Sequence, residues 1–226
     1  MIDVIDLDYT LLDADELKND LAATLHLTRE QFNNDYEQYY KKEGRNYHPF
    51  DHVTLIVERG WPREVDKIKT NANIRQLLLN IDHYLLPGAV ELLQGLRARR
   101  DKLIIYSFGD EDFQRMKIES SKLLRQLVDG YVVEGKDKTK NPFFQTLIEE
   151  KQKVLLINDN LAEAVKMKEL LELNGIECEV IAPEGPYNKL LEEARLQGVT
   201  FVHKLEEVQK IINKPKQENF KEFTLH

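Results

Sequence analysis

A single cysteine, Cys178, stands in 226 residues. No intramolecular disulfide and no cysteine-based zinc site can therefore form. That usage suits a reducing compartment. Long apolar runs are missing too. No stretch of about 18 apolar residues occurs, so no transmembrane helix is expected. The opening MIDVIDLDYT places acids where a secretory leader carries a basic and then an apolar stretch, so no leader is expected. An excess of basic charge is absent. Lys and Arg number 32 against 40 Asp and Glu, a formal charge of −8. That balance does not favour a nucleic-acid partner. The six histidines, His26, His48, His52, His83, His203 and His226, are scattered and form no HExxH pair. Repeats and low-complexity tracts are also missing. These absences together predict a cytoplasmic protein with no membrane and no nucleic-acid partner.

What is present is a soluble globular composition, with 42% hydrophobic and 32% charged residues. The length suits one α/β domain, or a core domain with one inserted subdomain, and can bury a sizeable core without metal or disulfide support. The first seven residues, MIDVIDL, read as a short buried strand ending at acids. From residue 14 to 85 the text turns polar and helical. Thr28 with Gln31 three residues on forms a capping box, and Gly44 is placed to stop the helix that follows. Residues 45–49, RNYHP, read as a loop. FDHVTLIVERG, PREVDKIKTNA and NIRQLLLNI read as three further helices, with Pro62 at a helix start.

From residue 86 strands and helices alternate. Strands are expected at 103–107, 131–134, 154–158, 177–181 and 200–202, and helices at 89–100, 111–121 and on to 127, 142–151, 161–174, 189–196 and 205–213. Such alternation predicts a parallel sheet covered on both faces and joined by right-handed crossovers. The stretch 214–226 reads as a polar tail.

In an open parallel sheet, ligands bind beyond the carboxyl ends of the strands. Asp6 and Asp8 follow the first strand, and Ser107 ends the second. Lys136, Lys138 and Lys140 follow the third. Asp159 follows VLLIN, with Glu163 four residues on. Buried acids cost desolvation unless a cation or donors compensate them. A turn or a helix cap explains any one of these residues alone, but not the ordered set.

The ordered set resembles the haloacid dehalogenase (HAD) superfamily in its phosphatase branch. Asp6-Leu7-Asp8-Tyr9-Thr10-Leu11 matches that family's Asp-x-Asp-x-Thr motif, and Leu103 to Ser107 matches its strand ending in Ser or Thr. Lys138 is the best match to its lysine, with Lys140 as rival because no Pro follows Lys138 directly. Asp159 and Glu163 match its paired acids, with Asn158 where Gly or Asp is common. The resemblance implies a Rossmann-like core (1–13 and 86–213) with a helical cap subdomain inserted at 14–85. It implies Asp6 as nucleophile and Asp8 as general acid/base. It implies Mg²⁺ held by Asp6, the Asp8 backbone carbonyl and Asp159, with Ser107 and Lys138 on the phosphoryl oxygens and Thr10 and Glu163 in support. The expected substrate is a small phosphorylated metabolite. Arg45, Tyr47 and His48, in the one cap loop with Gly and Pro, are the candidates for selecting it. Dehalogenases of the superfamily lack an acid/base at the second Asp, so Asp8 favours phosphoryl transfer. The alternatives are a phosphomutase, a phosphonate-cleaving relative, or a catalytically silent binding or regulatory protein.

Overall fold

The computed structural model describes residues 1–60, 65–187 and 198–212. Pro62, the expected helix at 189–196 and the tail at 214–226 lie outside them. Among the described residues six parallel strands form one sheet in the order β3-β2-β1-β4-β5-β6. They are β1 (Ile2–Ile5), β2 (Lys102–Phe108), β3 (Gly130–Glu134), β4 (Val154–Ile157), β5 (Cys178–Pro183) and β6 (Thr200–Val202). The register pairs Ile5 with Ile105 on one side and with Ile157 on the other.

Alternation along the strands sorts the core into two layers. Ile5, Leu103, Ile105, Leu155 and Ile157 face one side. Ile2, Val4, Ile104, Tyr106, Val154 and Leu156 face the other. On the first side pack α5 (Ala89–Ala98), α6 (Glu111–Ser120), α7 (Lys122–Leu127) and α10 (Leu205–Ile212); α8 (Pro142–Glu150) and α9 (Leu161–Leu173) cover the second. Burial on both faces explains why β4 reads as the unbroken apolar run VLLI. Each fully buried aliphatic side chain contributes roughly 1.5–3 kcal/mol.

Among the described residues four α-helices lie between β1 and α5: α1 (Ala14–Thr24), α2 (Arg29–Tyr36), α3 (Pro49–Arg59) and α4 (Lys67–Leu79). The capping box on Thr28 is formed, with both reciprocal hydrogen bonds. Helix α2 runs on through a wider π turn, 37–41, before Gly44 turns the chain at φ +65°. The two helices expected after residue 62 are one continuous α4, because neither Pro nor Gly interrupts residues 66–80. Leu17, Leu21, Phe32, Val53, Ile56 and Ile74 from these helices join the same buried cluster as Ile5 and Leu93. The insert's helices pack on one another and, through α4, against α6 of the core. Cys178 is free and buried in β5. Among the described residues no helix is long and apolar enough to cross a membrane.

Candidate active site

The strand order turns at β1. The chain leaves it for β2 on one side and returns to β4 on the other, so the crevice past β1 and β4 is the switch point of the sheet. Asp6 follows β1 there, its amide donating to the Ile157 carbonyl at 2.9 Å. Beyond it the chain makes a tight turn. Leu11 and Leu12 both donate to the Leu7 carbonyl, and Tyr9 takes the left-handed conformation at φ 61°. That conformation is costly for a residue other than glycine.

Lys138 donates to Asp6 Oδ1 at 2.6 Å and to Glu163 Oε2 at 2.8 Å. It is buried, whereas Lys136 and Lys140 are exposed. Its place is fixed from several sides. Asp137 accepts from the Thr139 amide and hydroxyl and from Lys166, and Tyr106 donates its hydroxyl to the Lys138 carbonyl. Burial works against the Lys138 charge, but Asp6 and Glu163 outweigh it and raise its pKa. Asn158 also donates to Glu163 Oε2, at 2.8 Å.

Asp159 stands at the start of α9, 2% exposed. Its amide donates to Thr10 Oγ1 at 3.1 Å, and Thr10 Oγ1 donates to its Oδ1 at 3.3 Å. Its Oδ2 is buried with no partner. Burial, and then the charge of Asp6, push the Asp159 carboxyl up to about 8; burial pushes Asp6 to about 6 against the pull of Lys138. Among the described residues no three His, Cys, Asp or Glu side chains gather at metal-binding spacing. Two carboxylates, Asp6 and Asp159, do lie close enough for the charge of one to raise the pKa of the other. Crowded, desolvated carboxylates and an orphaned Asp159 Oδ2 suit a hard divalent cation, which takes oxygen ligands and relieves their repulsion.

Asp8 is turned elsewhere. Lys117 Nζ lies 2.6 Å from both its oxygens, and Gln114 Nε2 donates to Oδ2 at 2.9 Å. Burial disfavours the Asp8 charge, but Lys117 and Gln114 outweigh that and hold its carboxyl below the usual range. Both partners come from α6, where they share the inward face with Phe113 and Ile118.

A cavity of about 310 Å³ opens over these groups. Asp6, Asp8, Lys138, Asp159 and Glu163 line its core side. Ala14, Leu17, Lys18, Leu21, Phe32, Tyr36, Asn46 and Tyr47 line it from the insert. Of the three loop candidates, Tyr47 reaches the cavity. Arg45 does not: it lies in a separate groove near Glu43 and Asp51, more than half exposed. His48 does not line it either, since its ring packs on Phe50 and Phe113. Ser107 is buried beside the wall residue Phe108 without lining the cavity, and its hydroxyl has no partner.

Sequence reading missed Lys18, Asn46, Gln114 and Lys117. Asn46 bridges the insert to the core, donating to the carbonyls of Gly109 at 3.1 Å and Gly135 at 2.8 Å. Lys18 and Lys117 left one signal, a lysine at an inward position of an amphipathic helix. Ala14, Leu17, Lys18 and Leu21 fall at i, i+3, i+4 and i+7 of one face.

No protein-family model matches the chain, and no curated protein matches its sequence. Solved structures do match its fold. A protein assigned as a haloacid dehalogenase-like hydrolase from Burkholderia xenovorans superposes at TM-score 0.66 with 19% identity, over 92% of this chain and 97% of the other. The HAD-hydrolase YfnB from Bacillus subtilis, solved bound to magnesium, gives 0.56 at 19% identity, over 94% and 98%. A protein assigned as a β-phosphoglucomutase from Thermotoga maritima gives 0.57 at 16% identity, over 93% and 97%. The chain has the haloacid dehalogenase-like fold, with its Rossmann-like parallel sheet.

Proposed function

We propose that the chain is a Mg²⁺-dependent phosphomonoester hydrolase of the haloacid dehalogenase superfamily, acting on a small phosphorylated metabolite. The observation that carries this reading is the contact of buried Lys138 with Asp6 at the switch point of the sheet, 2.6 Å apart, beside the orphaned Asp159 Oδ2. A carboxylate nucleophile, a fixed cation for phosphoryl oxygens and an acidic metal pair are what such chemistry needs within one crevice.

Asp6 attacks phosphorus. A bond from its carboxylate oxygen to phosphorus forms as the ester P–O bond breaks, giving an aspartyl-phosphate and the free alcohol. Asp8 gives the departing oxygen its proton. It then takes a proton from the water that attacks phosphorus, releasing inorganic phosphate and restoring Asp6. The Lys117 pair favours ionised Asp8, the form that accepts that proton. To serve the leaving group, Asp8 must first leave Lys117 and take up a proton from solvent, which it then passes to the ester oxygen. Lys138 meets the phosphoryl oxygens; the Ser107 hydroxyl, buried behind the wall without a partner, would have to be uncovered to join it. Thr10 steadies Asp159, and Glu163 steadies Lys138. Asp6, Asp159 and the Asp8 backbone carbonyl would hold Mg²⁺, which when bound neutralises charge and polarises the phosphoryl group. The magnesium found in YfnB supports that choice.

Residues 14–85 act in this reading as a cap over the 1–13 and 86–213 core, excluding water and selecting substrate. Its residues on the cavity wall support this, and a space of about 310 Å³ favours a small ester. The lone buried cysteine fits a cytoplasmic location.

The test is hydrolysis of an aryl phosphate and a panel of small phosphate esters, with Mg²⁺ and with chelator, by wild type and Asp6→Asn. Metal-dependent turnover falling about 1,000-fold or more in the variant is the expected result. Folded protein that turns over no ester and binds no Mg²⁺ by calorimetry would overturn the reading in favour of a silent regulatory protein.

A further inference from the structure

Among the described residues three lysines line the cavity: Lys18, Lys117 and Lys138. Two are matched by acids. Lys138 is held by Asp6 and Glu163, and Lys117 by Asp8, all at 2.6–2.8 Å. Lys18 forms no ion pair among the described residues. Its ammonium donates to the Tyr9 hydroxyl at 2.6 Å and lies 4.9 Å from that ring's centroid and 6.0 Å from the ring of Tyr36. The Tyr9 hydroxyl in turn donates to Asp15 Oδ1 at 3.0 Å, which Arg29 already pairs at 2.8 Å. Asp8 and Asp15, the two acids whose charges reach Lys18, are each committed to another cation, Lys117 and Arg29.

An ammonium placed among Leu17, Leu21 and two tyrosine rings is expensive to leave without a counter-charge. Burial holds the Lys18 pKa below its ordinary value even with Asp8 and Asp15 nearby. Helix α1 could turn a residue at this position inward at less cost if it were apolar, as its neighbours Leu17 and Leu21 are. The phosphoryl group does not need this cation, because Lys138 already serves the Asp6 end. Lys18 instead belongs to the insert, on the side where the alcohol half of an ester would lie.

We propose that the substrate carries a second anionic group on its alcohol half, and that Lys18 is the residue that binds it. This rests on the phosphatase reading above and deepens it to a substrate class: a short phosphate monoester with an anionic tail. A carboxylate and a second phosphate share the required chemistry. Each offers oxygen acceptors to the ammonium, and the Tyr9 hydroxyl keeps the ammonium aimed.

The experiment uses three esters built on a two-carbon unit: carboxymethyl phosphate, ethane-1,2-diol bisphosphate and ethyl phosphate. Hydrolysis with Mg²⁺ is measured for wild type and Lys18→Gln. Binding of the same esters to Asp6→Asn, and to Asp6→Asn combined with Lys18→Gln, is measured by calorimetry. Wild type is expected to prefer one of the anionic-tailed esters over ethyl phosphate by about 10–100-fold in kcat/KM. Lys18→Gln is expected to collapse that ratio, chiefly through KM, and Lys18→Arg to restore part of it. The ester with the larger ratio identifies the tail as carboxylate or phosphate. Hydrolysis of all three esters with no preference would overturn the tail assignment and leave the phosphatase reading standing. Tail-dependent binding that needs Lys18, without any hydrolysis, would do the reverse. Equal loss on all three esters in Lys18→Gln would move Lys18 to the reacting centre and also overturn the proposal.

Discussion

Lys117 Nζ bridges both carboxylate oxygens of Asp8 at 2.6 Å, across 109 residues of sequence. The lysine is 2% exposed and Asp8 about a quarter exposed. The pair is therefore semi-buried, and removing one member leaves the other poorly solvated. Lys117→Met should destabilise the fold by about 1–3 kcal/mol. Asp8→Asn made in that background should cost less than the same change in wild type. A double-mutant cycle from chemical denaturation reads the difference, and a coupling energy near zero would mean that the two groups do not depend on each other. Activity should fall in the single variant as well, because Asp8 loses the partner that fixes its position.

Asn46 supplies the second long-range tie, from the insert to the carbonyls of Gly109 and Gly135. Two hydrogen bonds of this kind contribute about 1–3 kcal/mol together. Asn46→Ala should loosen the insert over the core loops without unfolding either. Amide exchange should speed up at 45–48 and 109–110, and kcat/KM should drop about tenfold. Unchanged exchange in both stretches would show that the cavity closes by other contacts.

The sheet and most of the crevice could be read from the sequence for one physical reason. Strands buried on both faces are apolar runs, so VLLI at 154–157 and LIIY at 103–106 stand out. Of the polar residues at their ends, Asp6 and Asp159 line the crevice, while Ser107 is buried behind it. Lys138 was separable from Lys140 only once Tyr106, Asp137 and Thr139 were seen to fold the segment inward. Lys18 and Lys117 escaped because a lysine on a helix is ordinarily solvated. Their burial depends on which helix face meets the crevice, and that is decided by packing between distant segments. Arg45 misled for the converse reason. A basic loop residue beside Gly44 suggested a binding loop, yet it lies exposed near Glu43 and Asp51.

Asp3, in the central strand β1, is fully buried with neither oxygen hydrogen-bonded, and Arg99 is 3.8 Å away. Burial raises its pKa from 3.8 to about 6 against the pull of Arg99. The sign follows from proton counting. Between pH 4 and 6 the unfolded chain releases this proton while the folded chain keeps it, so stability falls as pH rises through that window and levels off above it. The size of the effect is on the order of 3 kcal/mol. Asp3→Asn should remove this component. Subtracting the stability of the variant from that of wild type at each pH, by denaturant titration from pH 4 to 8, isolates it. A difference that stays flat across the window would mean that Asp3 is ionised in the fold at pH 4 as well.

Gly185 packs directly against the Asp159 carboxylate. A Cβ added there would stand 2.7 Å from Asp159 Oδ2 and 2.8 Å from Asp159 Cβ, closer than real atoms approach. Asp159 cannot retreat freely, because Thr10 is bonded to both its amide and its Oδ1. Gly185→Ala should therefore displace the carboxylate and weaken Mg²⁺ binding by about 10–100-fold, the range that supporting contacts around a metal usually control. Lys138 and Asp6 keep their own contacts in that variant, so the fold should survive. Gly95→Ala is the control. Its Cβ would meet Gln209 at an ordinary 3.5 Å in α5, and alanine is the better helix former there. Calorimetric Mg²⁺ titration of both variants decides the matter. Equal affinity in Gly185→Ala and wild type would remove Asp159 from the metal-binding set and leave Asp6 as its one carboxylate.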